Sequence, residues 1–448
     1  MKKKRLFVLS VDAMVQEDAD YLRAKPDSNF AKFCQNCCGL ESVRTIYPSI
    51  TYPVHVSIQT GCYPEKTGIY TNYVFSTNEV NRDWTWDARL IRTDNIFAAA
   101  KRGGYSTAAA FWPVTSYNPD IDLHLPEYWL AHPGETLQGA FTERGADRRV
   151  VRLMEKHAHL LPADYERGGM GNVAKEPEFD DFMIHVTCDI LREYKPEVMF
   201  IHASLIDSLR HANGIFCPEV TAGLDLVDRW LGMLFQALRD AGTFDETNFV
   251  ILSDHGQNDY AREVRPNVFL ARRGLIQVDG QGRVTDYKVY GMHNGLSMAF
   301  WLKDPGDRAA YDEAYAVLKE MAAEGLYGFT QVLTREEAAK RFHLDGDFAF
   351  IIEGDGYTSF TDQCTGPGVV NVPLKNYRMG KGNHGHMPDV GPQPVFSTGA
   401  APFGLPAAPL PQVLTCVLVS YFASVSPYTL SISAHRSVYS SSVMRPTA

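Results

Sequence analysis

The chain has 448 residues and a formal net charge of −10, with acids and bases mixed along its length. That length exceeds one small core and predicts a large α/β domain with an insertion, or two domains, while the lack of a basic face speaks against binding a nucleic-acid polymer. No run of about 20 apolar residues occurs, so neither a membrane-spanning helix nor a membrane partner is expected; the eight cysteines, clustered only at Cys34, Cys37 and Cys38, read as reduced structural thiols, since C-x-x-C-C lacks a second pair for zinc.

The basic start at Met1–Arg5 leads into the apolar run Leu6–Val11, which meets Asp12 at once. It reads as a buried strand rather than a secretory leader, and a cytoplasmic location is expected. In Tyr47-Pro-Ser-Ile-Thr51-Tyr-Pro-Val-His55, Pro53 suits the first turn of a helix and Gly61 its end. Thr51 then stands at a helix N-terminus, where backbone N–H groups favour an anion, although a threonine there is more commonly a plain N-cap.

A helix is predicted over Asn95–Arg102, closing on Gly103-Gly104 before a strand Tyr105–Phe111. The helix Asp180–Tyr194 leads into a strand Val198–Leu205, and the helix Glu219–Ala241, with Leu224, Val227, Leu231, Leu234 and Leu238 at helical spacing, into a strand Asn248–Ser253. This alternation predicts an α/β core, a mostly parallel sheet flanked by helices, over 1–260 and completed by 380–400. The rhythm changes over 261–379: a Gly-rich strand pair near Gly280–Phe300, helices Ala309–Ala323 and Arg335–Phe342, and a strand Phe348–Ile352 read as an α+β insertion. From 391 to 448 there is no Asp or Glu, while Pro, Ala and Ser abound, which reads as a disordered or frame-shifted tail.

Three predicted strands end in aspartate, at Asp12, at Asp207 and at Asp254, which His255 follows directly. Ligands of open α/β sheets bind at strand carboxyl ends, so these carboxylates can meet in one crevice. His211 stands at i+4 from Asp207, on the same side of a helical turn, and His384 lies in the turn-rich Gly382-Asn-His-Gly-His386. Each element alone is ordinary, but together they form a ligand set suited to two zinc-like ions.

The stretch Tyr47–Asn72, with Thr51-x-Pro-x-His55, Thr60-Gly61, Pro64 and Gly68-Ile-Tyr-Thr-Asn72, resembles the nucleophile region of the nucleotide pyrophosphatase/phosphodiesterases of the alkaline phosphatase superfamily. The order of the remaining motifs agrees: Asp12, Phe111-Trp112-Pro113, Asp207-x-x-x-His211, Ser253-Asp-His-Gly256 and Gly-x-His384-Gly, spanning about residues 5 to 390. The resemblance implies the superfamily fold and two divalent ions, zinc first. It assigns Asp12, Thr51, Asp254 and His255 to one ion and Asp207, His211 and His384 to the other. It also implies Thr51 as nucleophile, forming a phosphothreonine ester, and Asn72 as donor to a phosphoryl oxygen. Tyr52 matches an aromatic that stacks on bases, with Phe111 or Trp112 lining the same pocket, so the substrate expected is a small nucleotide-like phosphate ester.

Two positions depart from the pattern: Val54 stands where Asn is frequent, and Val114 where a Gly commonly follows Phe-Trp-Pro. Sulfatases of the same superfamily use a modified Cys or Ser beside an Arg, which Thr51-Tyr-Pro-Val-His55 does not supply. A phosphonoacetate hydrolase and a non-catalytic metal-binding relative are the alternatives. No Arg beside Thr51 suggests a monoesterase, and His55, His293 and His386 are expected to be structural.

Overall fold

The computed structural model describes residues 5–399 apart from 36, 41–42, 79–81, 131, 133, 164, 166–176 and 373–380. Its central sheet has seven strands, in the order Cys37–Leu40, Phe396–Gly399, Thr247–Leu252, Arg5–Val11, Val198–Ala203, Thr107–Ala110, Leu123–Leu125. The five from Thr247–Leu252 onward pair in parallel, and Phe396–Gly399 runs antiparallel to both its neighbours. Strands with both faces covered read as continuous apolar runs, and Leu6–Val11 is buried throughout. The period of two then sorts the side chains: Leu6 and Val8 pack with Val54, Ile58, Ile96 and Phe97 on one face, while Phe7, Leu9 and Val11 join Phe182, Leu231 and Leu234 on the other.

Helices occupy Thr51–Thr60, Ile96–Arg102, Glu178–Tyr194, Leu205–Asn213 and Pro218–Asp240 among the flanking elements. The Asn95 side chain caps one of them by accepting from Ala98 N. A second sheet, antiparallel and four-stranded, takes the order Val289–His293, Ser297–Leu302, Phe350–Gly354, Phe329–Thr334 and carries the helices Arg308–Glu324 and Arg335–Phe342 with a core of its own. The strand pair expected near Gly280–Phe300 resolves into two hairpins, Ile276–Val278 with Val284–Tyr287 and Val289–His293 with Ser297–Leu302.

Two expectations change. The strand expected to reach Leu205 stops at Ala203, so Asp207 lies in the first turn of the helix Leu205–Asn213 and not at a strand end. The cause is remote in sequence: the buried Asp180 carboxylate accepts from Leu205 N at 2.8 Å and from Ser204 Oγ at 3.4 Å, and so starts that helix from another one. The acid-free stretch is also ordered at its beginning, since Phe396–Gly399 is an inner strand of the sheet; residues 400–448 lie outside the described residues. No helix among the described residues is long and apolar enough to cross a membrane.

Candidate active site

The carboxyl ends of the parallel strands open onto one cavity of about 510 Å³. Asp12 follows Arg5–Val11, Ser204 and Asp207 follow Val198–Ala203, Asp254-His255 follow Thr247–Leu252, and Phe111 follows Thr107–Ala110. Opposite them stands the helix Thr51–Thr60, whose N-cap is Ile50 and whose first residue is Thr51, with Gly61 closing it at φ 75°. Thr51 is thus helical and caps nothing with its side chain, so its hydroxyl remains available; Oγ1 lies 3.3 Å from His255 Nε2.

His255 is oriented by Nδ1, 3.2 Å from Gly256 O, which turns Nε2 toward Asp254 Oδ2 at 3.1 Å and Asp12 Oδ1 at 3.5 Å. His211 is held the same way: Nδ1 donates to Gly382 O at 2.9 Å, leaving Nε2 3.2 Å from Asp207 Oδ2. His384, distant in sequence, places Nε2 3.7 Å from Asp207 Oδ1, and its ring lies 4.3 Å from that of His255. The following residue has to be glycine: Gly385 has φ 89°, and a Cβ there would sit 1.7 Å from Asn294 O. The ligand atoms of Asp207, His211 and His384 lie within 4.8 Å of one another, as do those of Asp12, Asp207 and His255, so Asp207 belongs to both groups.

The electrostatics point to cations. Burial, then Asp254 and Asp207, push the Asp12 carboxyl well above its ordinary value, while Asp207, despite its burial, is held far below by His211 and His384. Among the described residues the buried atoms Asp12 Oδ1, Asp254 Oδ2 and His384 Nδ1 have no hydrogen-bond partner. Buried carboxylates grouped in this way are costly without positive charge, and carboxylates with imidazoles suit zinc-like divalent ions. The residues fit that group.

Supporting residues complete the arrangement. Asn72 Oδ1 accepts from Tyr52 N at 2.8 Å, which leaves the amide NH₂ as a donor at the cavity wall. His55, whose imidazole burial pushes down to about 3, contacts Thr51 O at 2.8 Å through Nδ1 and Ser10 Oγ at 2.9 Å through Nε2, and so anchors the start of the helix. His386 is buried against Ser49. His293 lines the cavity from the second sheet. Gln257 donates to Asp207 Oδ1, and His202, from inside the strand Val198–Ala203, reaches Asp12 Oδ2 at 3.1 Å. Ala13, Phe111 and Val114 all carry φ near 56° around this site, left-handed conformations that non-glycine residues seldom take. Val114 occupies the place where the related pattern has glycine.

The aromatic expectations divide. Phe111 lines the cavity, but Tyr52 and Trp112 are fully buried and do not. Tyr52 packs with Val56, Ile69 and Val114, and Trp112 against His55 and Phe200 with ring centres 4.9 Å away in both cases. A residue one step along a helix points about 100° away from its neighbour, so adjacency to Thr51 does not aim Tyr52 at the site. The cavity walls are instead Tyr73, Trp84, Trp129 and Phe179, with the buried Glu127 among them.

A family described as Type I phosphodiesterase / nucleotide pyrophosphatase matches residues 6–386. The ectonucleotide pyrophosphatase/phosphodiesterase family member 1 of Mus musculus is 26% identical over 251 residues, 54% of this chain and 23% of that protein, so the chain spans about a quarter of that relative's length. Among solved structures, murine ectonucleotide pyrophosphatase/phosphodiesterase 5, as an inactive variant in complex with AMP, superposes with a TM-score of 0.60 at 19% identity, covering 96% of this chain and 98% of that one. Phosphonoacetate hydrolase from Sinorhizobium meliloti 1021 gives a TM-score of 0.60 at 17% identity, covering 94% and 95%. At these identities the two structural likenesses speak for the fold.

Proposed function

The chain belongs to the Type I phosphodiesterase / nucleotide pyrophosphatase family of the alkaline phosphatase superfamily, with its α/β fold, and from that premise we propose that it hydrolyses phosphodiester or pyrophosphate bonds through a covalent ester on Thr51. The observation that carries the reading is the Thr51 hydroxyl at a helix N-terminus, 3.3 Å from His255 and beside three converging carboxylates. The names of the relatives make nucleotides the first substrates to assay.

Asp12, Asp254, His255 and Thr51 would hold one divalent ion, and Asp207, His211 and His384 the other. When bound, the ions supply Lewis-acid stabilisation of charge on the attacking and leaving oxygens. The chain's own residues do the rest. Thr51 Oγ forms the bond to phosphorus while the bond to the leaving oxygen breaks; the electron pair stays on the leaving oxygen, which takes up the proton given up by the Thr51 hydroxyl and departs as the alcohol or phosphate. Water then cleaves the Thr51 ester, releasing the phosphorylated product and restoring the hydroxyl. Asn72, its amide fixed by Tyr52 N, donates to a non-bridging phosphoryl oxygen in both halves. No Lys or Arg lines the cavity among the described residues, which favours a singly charged diester over a dianionic monoester.

Metal analysis combined with a substrate panel tests this. The purified protein is expected to hold two divalent ions per chain and to hydrolyse an aryl phosphodiester, with activity lost on chelation and restored by zinc. Preference for phosphonoacetate would replace the reading with carbon–phosphorus bond hydrolysis, and bound metal without any turnover would leave a non-catalytic relative.

A further inference from the structure

A second group of imidazoles and carboxylates lies in the helical layer, away from the cavity. The helix Glu178–Tyr194 carries Asp181, His185 and Asp189 at intervals of four, which sets them in one line along its surface. The helix Arg148–His157 packs against it and ends on His157, whose ring centre lies 5.4 Å from that of His185. None of these four residues lines the cavity.

Two distances in this group match those around Asp207. Asp181 and His185 repeat the i, i+4 spacing of Asp207 and His211, and Asp181 Oδ2 stands 4.0 Å from His185 Nε2, beside 3.7 Å between Asp207 and His384. The 5.4 Å between the rings of His157 and His185 compares with 5.0 Å for His211 and His384. Metal bonds of about 2.1 Å at the tetrahedral angle set two ligand atoms about 3.4 Å apart, so a small turn of the His185 side chain, 38% exposed, closes the group.

Hydrogen bonds prepare the donors. His157 Nε2 donates to Asp189 Oδ2 at 2.8 Å and so leaves the lone pair on Nδ1, the arrangement in which a carboxylate orients an imidazole ligand. Asp181 is fixed through Oδ1, which accepts from Trp230 Nε1 at 2.7 Å and Arg229 Nη2 at 2.9 Å, so Oδ2 is the oxygen turned to His185. Burial lowers the pKa of His185 from the ordinary imidazole value in spite of Asp181, which keeps the ring neutral and able to ligate. The neighbouring cations are spent, Lys156 and Arg192 on Asp189 and Arg229 on Asp181 Oδ1. Two imidazoles with one carboxylate suit zinc-like ions, whereas magnesium and calcium take oxygen ligands.

We propose that His157 Nδ1, His185 Nε2 and Asp181 Oδ2 form a further metal site, for a zinc-like divalent ion with water as its fourth ligand. The ion joins two helices directly and a third, Pro218–Asp240, through Arg229 and Trp230. It braces the helix whose first turn carries Phe179 at the cavity and Asp180 under the start of Leu205–Asn213, so its part is structural. His159, with its ring 6.3 Å from His157 and its Nδ1 3.2 Å from Lys156 O, stays outside the site.

The test counts zinc on the purified full chain equilibrated at micromolar free zinc, in the wild type and in His157→Gln, His185→Gln and His159→Gln. The first two variants are expected to hold one zinc per chain fewer than the wild type and the third the same number, with turnover of an aryl diester close to the wild-type rate in all of them. Equal zinc in the wild type, His157→Gln and His185→Gln would overturn the proposal. Loss of an ion from His159→Gln would overturn it too, since surface imidazoles would then be binding without distinction. Should a histidine variant fail to fold, Asp181→Asn decides, because it keeps an acceptor for Trp230 and removes only the ligand charge; full zinc content there would contradict the site. The difference between proteins is what counts, so the result holds whatever number of ions the cavity retains, and absence of turnover would bear on the hydrolase reading alone.

Discussion

Replacing Thr51 by alanine is expected to lower turnover by at least about a thousandfold, some 4 kcal/mol at 1.36 kcal/mol per factor of ten, while both metal ions stay bound. The hydroxyl stands at a helix N-terminus 3.3 Å from His255, whereas Ser204, the other cavity hydroxyl at a helix start among the described residues, donates to Asp180, so the loss of Thr51 removes the covalent route. It is one ligand atom in a group that retains Asp12, Asp254 and His255, close enough together to hold an ion without it. The helix should persist, since Thr51 contributes no side-chain cap and alanine is a better helix former. Turnover and metal content measured on the same preparation check this; a variant keeping more than a small fraction of the wild-type rate would mean that water attacks phosphorus directly.

Removing Asp207 should do comparable damage by another route. Its two oxygens face His211 at 3.2 Å and His384 at 3.7 Å, and it also lies in the group formed with Asp12 and His255. Asp207→Ala leaves two imidazoles without a carboxylate at one site. The expected result is one tightly held ion in place of two and a rate lower by about a hundredfold or more, since charge stabilisation by a metal is worth several kcal/mol. Metal analysis after gel filtration reads the stoichiometry, and two retained ions would contradict the assignment.

Much of this geometry was legible in the sequence for a definite reason. In a parallel sheet each apolar run announces its own carboxyl end, so Asp12 and the Asp254-His255 pair could be placed in one crevice without knowing how the strands are ordered. Asp207 reached the same crevice from the wrong element: the run continues apolar through Leu205 and Ile206, and only the remote Asp180 carboxylate shows that a helix has begun. Tyr52 and Trp112 misled because neighbours in sequence suggested neighbours in the site, whereas helix rotation and the left-handed Phe111 send these rings into the core. Tyr73, Trp84, Glu127 and Trp129 carry no motif; they come from connecting segments whose positions only the assembled fold decides. His202 had a weak signal, an imidazole inside the otherwise apolar strand Val198–Ala203, and its ring is spent on Asp12.

The covalent ester on Thr51 is the centre of the account, and the stereochemistry at phosphorus tests it most directly. An aryl phosphorothioate diester, chiral at phosphorus, is hydrolysed in isotopically labelled water and the configuration of the product is read. Two successive in-line displacements, one by Thr51 and one by water, predict net retention; net inversion would show a single displacement by water and would contradict the account.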